Sequence, residues 1–160
     1  MKVCTLVYIL DGEGRVLLGK KKRGFGIGKL NAPGGEVEKD EAPEVCAVRE
    51  CHEEVGLELH EVEYGGYMDH YFAEEDVENL RIHVFLCRSF AGEPSESDEI
   101  APEWFAVEDI PLDQMWDDDR YWLRNCLLGE KQYWSFWFEN EKVVRGKWIP
   151  EEERLDLGLS

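Results

Sequence analysis

The chain has 160 residues, 43% of them hydrophobic, and carries 36 acidic against 18 basic side chains for a formal net charge of −18. That length is enough for one sizeable core and predicts a single domain over residues 1–160. The charge excludes a general polyanion-binding surface, so no polymeric nucleic acid is expected as a partner and an anionic ligand must be met by a local basic exception.

Val3–Leu10 and Arg15–Gly19 are rich in β-branched and aliphatic residues, with Asp11-Gly12-Glu13-Gly14 between them as turn chemistry. They predict a hairpin. The basic exception follows at once: Lys20, Lys21, Lys22, Arg23 and Lys29 precede the pair Gly34-Gly35 and are placed to offset ligand phosphate charge, although each taken singly is as well explained by an exposed turn. A helix is expected from about Glu41 to Val55, with Asp40 as N-cap, Pro43 in a first turn that tolerates it, and Gly56 ending it in a left-handed conformation. Leu59–Tyr71 predicts an irregular strand, Leu80–Phe90 the strongest later strand, and Glu103–Val107 a short one. A second helix is expected over Asp118–Leu128, then a terminal hairpin of Tyr133–Phe138 and Val143–Ile149 around a Glu-Asn-Glu turn, and a charged tail from Glu151 that frays. Strands and helices in that order predict an α/β fold, a mixed β-sheet covered by helices.

Five scattered cysteines, Cys4, Cys46, Cys51, Cys87 and Cys126, form no CxxC pair, which argues against a disulfide framework or a zinc site and for reduced thiols in a cytoplasmic protein. His52, His70 and His83 lack a ligand pattern and are assigned no chemistry, and Trp104, Trp122, Trp134 and Trp137 are assigned to the core. No segment approaches transmembrane length, so no membrane partner is expected. A monomer is expected.

The first helix has two faces. Val45, Val48, Cys51 and Val55 fall on one side, and Glu50, Glu53 and Glu54 project from nearly the opposite one. Three carboxylates that close repel one another and need a compensating cation, and hard oxygen donors suit Mg²⁺ or Mn²⁺. Magnesium usually completes its shell with waters and substrate phosphates, which points to a polyphosphate ligand. Gly34 and Gly35 let backbone approach metal or phosphate closely. Glutamates opposite an apolar stripe are more often a solvated face, and three alone would leave that reading ahead.

The register of a longer motif reverses the balance. Gly35, Glu41, Arg49, Glu50, Glu53, Glu54, Gly56 and Leu57 meet every fixed position of the box that identifies the Nudix hydrolases, and Cys51 replaces the usual aliphatic residue as a small hydrophobe. The chain therefore resembles that family over residues 35–57. Leu17–Gly35, Glu96–Phe105, Ile110–Trp122 and Lys131–Phe138 extend the resemblance to the animal-type 8-oxo-dGTP diphosphatases, a MutT-like branch acting on oxidised purine nucleoside triphosphates. The sequence departs from that branch at Leu30, where tryptophan is usual, at Pro33, where phenylalanine is usual, and over Tyr64–Leu80, and the two substituted positions are expected close to the pocket.

The resemblance implies an α/β/α sandwich and the roles of single residues. Gly35, Glu50, Glu53, Glu54 and Glu99 would hold Mg²⁺. Glu53 and Glu99 are both candidates for the proton acceptor, and Arg49 would orient a box glutamate. Asn31, Phe25, Trp116, Asp118 and Asp119 would form the base pocket, with Lys21, Gly34 and Gly35 at the phosphates. An aromatic platform stacks, while an amide and two carboxyls supply donors and acceptors for a purine edge. Asp118 and Asp119 can also be explained as the acidic start of a helix. As a pocket pair they should share a proton and give a pH-dependent preference among oxidised purines. The expected reaction is attack of water on phosphorus, releasing nucleoside monophosphate and pyrophosphate. The alternatives are a Nudix hydrolase of an ordinary dNTP, a nucleotide sugar or a capped RNA end, and a catalytically silent nucleotide-binding module.

Overall fold

A computed structural model describes residues 1–158. Its strands are β1 (Lys2–Ile9), β2 (Arg15–Lys21), β3 (Leu30–Asn31), β4 (Gly34–Glu36), β5 (Glu58–Phe72), β6 (Leu80–Ala91), β7 (Ile100–Ala106), β8 (Gln132–Glu139) and β9 (Lys142–Trp148), with helices α1 (Pro43–Val55) and α2 (Asp119–Leu127). Six strands form one mixed sheet in the order β4-β1-β6-β5-β8-β9, and β3-β2-β7 form a second. Within the large sheet β1/β6 and β5/β8 run parallel and the other neighbours antiparallel.

Alternation along β1 sorts the core. Val7 and Ile9 join Ala47, Cys51 and Val55 of α1 on one face of the sheet. Tyr8, one step out of phase, joins Trp122, Leu123 and Cys126 of α2 on the other. Each helix thus covers one face, which makes the expected α/β/α sandwich. All five cysteines are free, and Cys51 is wholly buried as a hydrophobe would be. Among the described residues no helix is long and apolar enough to cross a membrane.

Three expectations are corrected. β1 and β2 touch only at a Leu10–Val16 bridge and then part into different sheets. Asp11 does make the turn, accepting the amides of Glu13 and Arg15 at 2.8 and 3.1 Å. Turn chemistry fixes the reversal, but β2 buries Val16, Leu17 and Leu18 along its length and takes β7 as its long partner. Asp40 is no N-cap: it lies at φ 63°, the cap position is Ala42 without a side-chain bond, and Pro43 opens the helix with no N–H to satisfy. The apolar stripe of α1 is also rotated, for Val45 is exposed while Cys46 and Ala47 are buried.

The tail from Glu151 does not fray at its start. Arg154 donates from Nε to the Ile149 carbonyl at 3.0 Å and lies 4.0 Å over the Tyr133 ring, and the Leu155 amide reaches the Tyr67 hydroxyl at 3.3 Å. The last two residues of that segment lie outside the described ones. Along β5 the expected irregularity takes the form of register shifts between Leu59 and Gly66. Gly66, at φ 107°, lies so close to the backbone of Gln132 that a Cβ would collide with it, which is how β8 gains its parallel seat.

Burial leaves one group exposed to acid. His83 of β6 bonds the Tyr64 hydroxyl at 2.9 Å through Nδ1, and burial, helped by Arg81, pushes its pKa down to about 4. The unfolded chain takes that proton near pH 6.5, so stability is complete above that value and falls as pH drops towards about 4. The loss should approach about 3 kcal/mol. Urea unfolding across this window checks it: His83→Gln should flatten the acid limb.

Candidate active site

The last turn of α1, the first turn of α2, β1 and the C-terminal ends of β2 and β5 surround one cleft that opens to solvent. Lys21, Phe25, Asn31, Gly34, Gly35, Glu54, Trp116, Asp118 and Asp119 all line it. Arg49, Glu50, Glu53 and Glu99 do not. The sequence positions therefore divide into a group inside the cleft and a group behind or beside it.

At one end, β4 lies along α1 as far as its last turn. A Cβ on Gly35 would stand 2.6 and 2.7 Å from the two carboxylate oxygens of Glu50, so only glycine lets that side chain lie against the strand. The Gly34 amide donates to Glu54 Oε1 at 2.9 Å. Arg49 holds the box together from the other side, with Nε and Nη2 forked onto Glu41 at 2.7 and 2.9 Å and Nη1 donating to Glu50 at 2.9 Å and Glu53 at 3.2 Å. The fork holds the Glu41 carboxyl down to about 2.

The remaining charge is uncompensated. Burial pushes Glu54 up to about 7 against the pull of the Gly34 amide, with the Glu50 charge adding to the rise. Burial likewise raises Glu50, despite its bond to Arg49. Two desolvated carboxyls beside each other, both raised, are what a hard divalent cation would relieve, so the donor set fits one. The wider expected ligand set is not gathered as a finished cage. Among the described residues no group of three His, Cys, Asp or Glu side chains is arranged to hold a metal ion. Electrostatics supplies the reason: Glu53 is drawn to Arg49, and Glu99 is paired through Oε1 with Arg23 on the rim.

Lys21 and Lys29 are the members of the basic run that face the cleft, whereas Lys22 is taken up by Glu96 and Arg23 by Glu99. Loop 22–29 carries Phe25 over the opening, with Gly24, Gly26 and Gly28 all at φ near 80°. Phe25 stacks on Trp116 at 5.1 Å between centroids, and Lys29 Nζ lies 5.1 Å from the same ring.

At the far end Asp118 and Asp119 are almost fully buried. Asp118 Oδ2 accepts the Trp122 indole N–H at 2.8 Å, and Asp118 Oδ1 and Asp119 Oδ2 have no partner. Buried carboxyl oxygens without partners are costly unless something arrives to bond them. Burial, with the Asp118 charge beside it, raises the Asp119 carboxyl well above its usual range. Asp118 stands at the N-cap position of α2 and Asp119 in its first turn, as a helix start would have them, but the Asp118 side chain makes no cap bond.

Two residues that the sequence kept out of the site, Trp122 as core and His70 without chemistry, belong here. Trp122 is core and cleft wall at once. His70 lines the cleft with Nε2 at 3.1 Å from Asp118 Oδ2, and the only available signal was the period of two that puts Met68, His70 and Phe72 on one face of β5. Conversely, Leu30 is buried in the core and Pro33 accepts the Val7 amide at 2.8 Å, and neither lines the cleft.

Comparison with known proteins agrees with this architecture. The model of the NUDIX domain family matches residues 2–126. An oxidized purine nucleoside triphosphate hydrolase from Danio rerio is 40% identical over 154 residues, covering 96% of this chain and 97% of that protein. One of the same name from Mus musculus is 37% identical over 143 residues, covering 89% and 90%. Among solved structures, a MutT protein from Bacillus halodurans superposes with a TM-score of 0.80 at 24% identity over 94% of this chain and 99% of that one, a likeness of fold. The chain belongs to the NUDIX family.

Proposed function

We propose that this protein hydrolyses oxidised purine nucleoside triphosphates of the 8-oxo-dGTP and 2-hydroxy-dATP type to the monophosphate and pyrophosphate, and so sanitises the nucleotide pool. The observation that carries the reading is one cleft with two chemically distinct ends: glycines, Lys21 and the raised Glu54 at one, and two buried carboxyls with unpartnered oxygens at the other. The names of the two relatives point to the same substrate class.

Nudix hydrolases generally need a divalent metal. Here Mg²⁺ is proposed, held by Glu50 and Glu54 with Gly35, Glu53 and Glu99 as further donors. When bound it neutralises phosphate charge and acidifies water. Lys21 meets the phosphates, and Gly34 and Gly35 let them approach the backbone. Arg49 fixes Glu50 and Glu53 in place. Asn31, whose Oδ1 is turned to the Ala32 amide at 2.9 Å, is left with its side-chain N–H groups to donate to the base. Trp116 and Phe25 supply the stacking surface, and Asp118 and Asp119 meet the purine edge. A single domain acting as a monomer in the cytoplasm completes the reading.

Pyrophosphate release with Mg²⁺ tests it across 8-oxo-dGTP, 2-hydroxy-dATP, ordinary dNTPs, a nucleotide sugar and capped RNA, compared by kcat/KM. Oxidised purines should lead ordinary dNTPs by about 10²-fold or more, the scale set by buried hydrogen-bonding groups that a wrong substrate leaves unpaired. A lead by another substrate would reject the base assignment. No turnover at all would make the chain a nucleotide-binding module.

A further inference from the structure

His70 is the one imidazole in the cleft, and the reaction proposed above gives it nothing to do. Its ring is nearly fully buried in β5 among Phe72, Phe136 and Phe138, the last at 4.8 Å between centroids. A phenyl ring would fill that place with less desolvation. The polar edge of the imidazole points to Asp118 Oδ2, the oxygen that already accepts the Trp122 indole at 2.8 Å. An indole nitrogen only donates, so Oδ2 is an acceptor towards α2. An imidazole with hydrogen on Nε2, neutral or charged, makes it an acceptor towards β5 as well.

We propose that His70 is a positioning residue for base selection: with Trp122 it holds Asp118 as the ionised acceptor, so that the proton shared by the aspartate pair stays on Asp119. The inference rests on the proposed function and names what decides which purine edge the same site accepts. Asp119 has one neighbouring carboxylate and no bonded partner at Oδ2, and both burial and that neighbour raise its affinity for a proton. The other titratable groups facing the cleft are Cys4 from β1, Lys21, Lys29 and, on α1, Glu54, and Tyr8 lies in the core close enough to feel the aspartate charges. None of them bonds to either aspartate. Burial, with the nearby aspartate charges, raises the Tyr8 phenol well above its usual range, so it stays neutral and adds no charge to the pair.

A fixed proton has a defined effect on recognition. Asp118 Oδ1 then offers an acceptor and Asp119 a donor, in places that do not exchange. For a purine seated in one pose, a lactam edge (ring N–H beside C=O) and an amidine edge (ring N beside NH₂) present opposite patterns. In that pose the pair matches one of them, so a base carrying the other pattern must turn to offer a matching edge. The pH-dependent preference expected from two free aspartates is on this proposal suppressed, because an imidazole with hydrogen on Nε2 donates whether neutral or charged.

The test compares kcat/KM for 8-oxo-dGTP and 2-hydroxy-dATP from pH 6 to 9 in the wild type, His70→Phe and His70→Gln. The wild-type ratio should stay within about 2-fold over that range. In His70→Phe the ratio should shift by about 10-fold, one lost hydrogen-bond preference, and become pH-dependent. His70→Gln, whose amide N–H still reaches a carboxylate, should restore the flat profile. Infrared spectra of the protein with isotope-labelled aspartate give a readout that needs no turnover: a protonated carboxyl band at pH 7 should vanish in Asp119→Asn and broaden in His70→Phe. A His70→Phe protein with the wild-type ratio, pH profile and carboxyl band overturns the inference and leaves the proposed function standing. A wild type with no preference for oxidised purines overturns both.

Discussion

Replacing Glu54 by Gln is expected to lower kcat/KM by about 10³-fold, on the scale of removing one electrostatic contact to the developing phosphate charge, and at the same time to stabilise the metal-free fold. The second half follows from burial. Glu54 is raised from an ordinary carboxyl to about 7, so its favourable contribution is complete below about pH 4.5 and is lost as pH rises through about 7. At pH 8 in EDTA the wild type carries a desolvated charge that the amide lacks, a difference of at most about 3 kcal/mol. Gln also keeps an oxygen for the Gly34 amide. Saturating Mg²⁺ should reverse the order, because a ligand bound only by the folded state stabilises it by mass action, and the variant loses a donor. Thermal melts at pH 8 with EDTA and with Mg²⁺, beside pyrophosphate release, check both halves. A variant less stable than wild type in EDTA would contradict the raised carboxyl.

Asp119→Ala is expected to lower kcat/KM for oxidised purines by about 10²-fold or more while ordinary dNTPs change by less than about 3-fold. The asymmetry is the content of the prediction, since a residue that served only the fold would depress all substrates alike. Asp119→Asn separates shape from proton. Its amide keeps a donor where the acid holds one, so part of the preference should survive. Stability follows the raised carboxyl: the contribution of Asp119 is complete below about pH 4 and lost as pH rises through its folded value, so the amide should gain on wild type towards alkaline pH. Equal losses on every base would remove Asp119 from the pocket.

Much of this was legible because local chemistry and global position agreed. Pro43, Gly56 and the spacing of Cys51 and Val55 bracket α1 within two residues, and Leu80 to Phe90 announced a strand by composition. Where they parted, sequence failed. Asp11 to Gly14 form a good turn, yet a turn says nothing about which sheet the next strand joins. The helical wheel put Glu54 on an open face, and only β4, three residues long and too short to show as a pattern, covers it. The aspartate pair entered through family resemblance, whereas His70 had no motif around it. Its meaning depends on Trp122 and Asp118, some 50 residues away, sharing one oxygen with it.

The stacking of Phe25 on Trp116 also bears on how fast the cleft can be entered. Two rings 5.1 Å apart leave no slot for a purine, which needs about 3.5 Å on each side. Lys29, which also lies over that indole, comes from the same loop, so a base stacked on that face of Trp116 would have to evict part of it. Association and loop opening are then a single event. Three glycines already in left-handed backbone are the places where the loop could turn, and on the proposed base site the approach of substrate would wait on that turning rather than on diffusion to an open mouth.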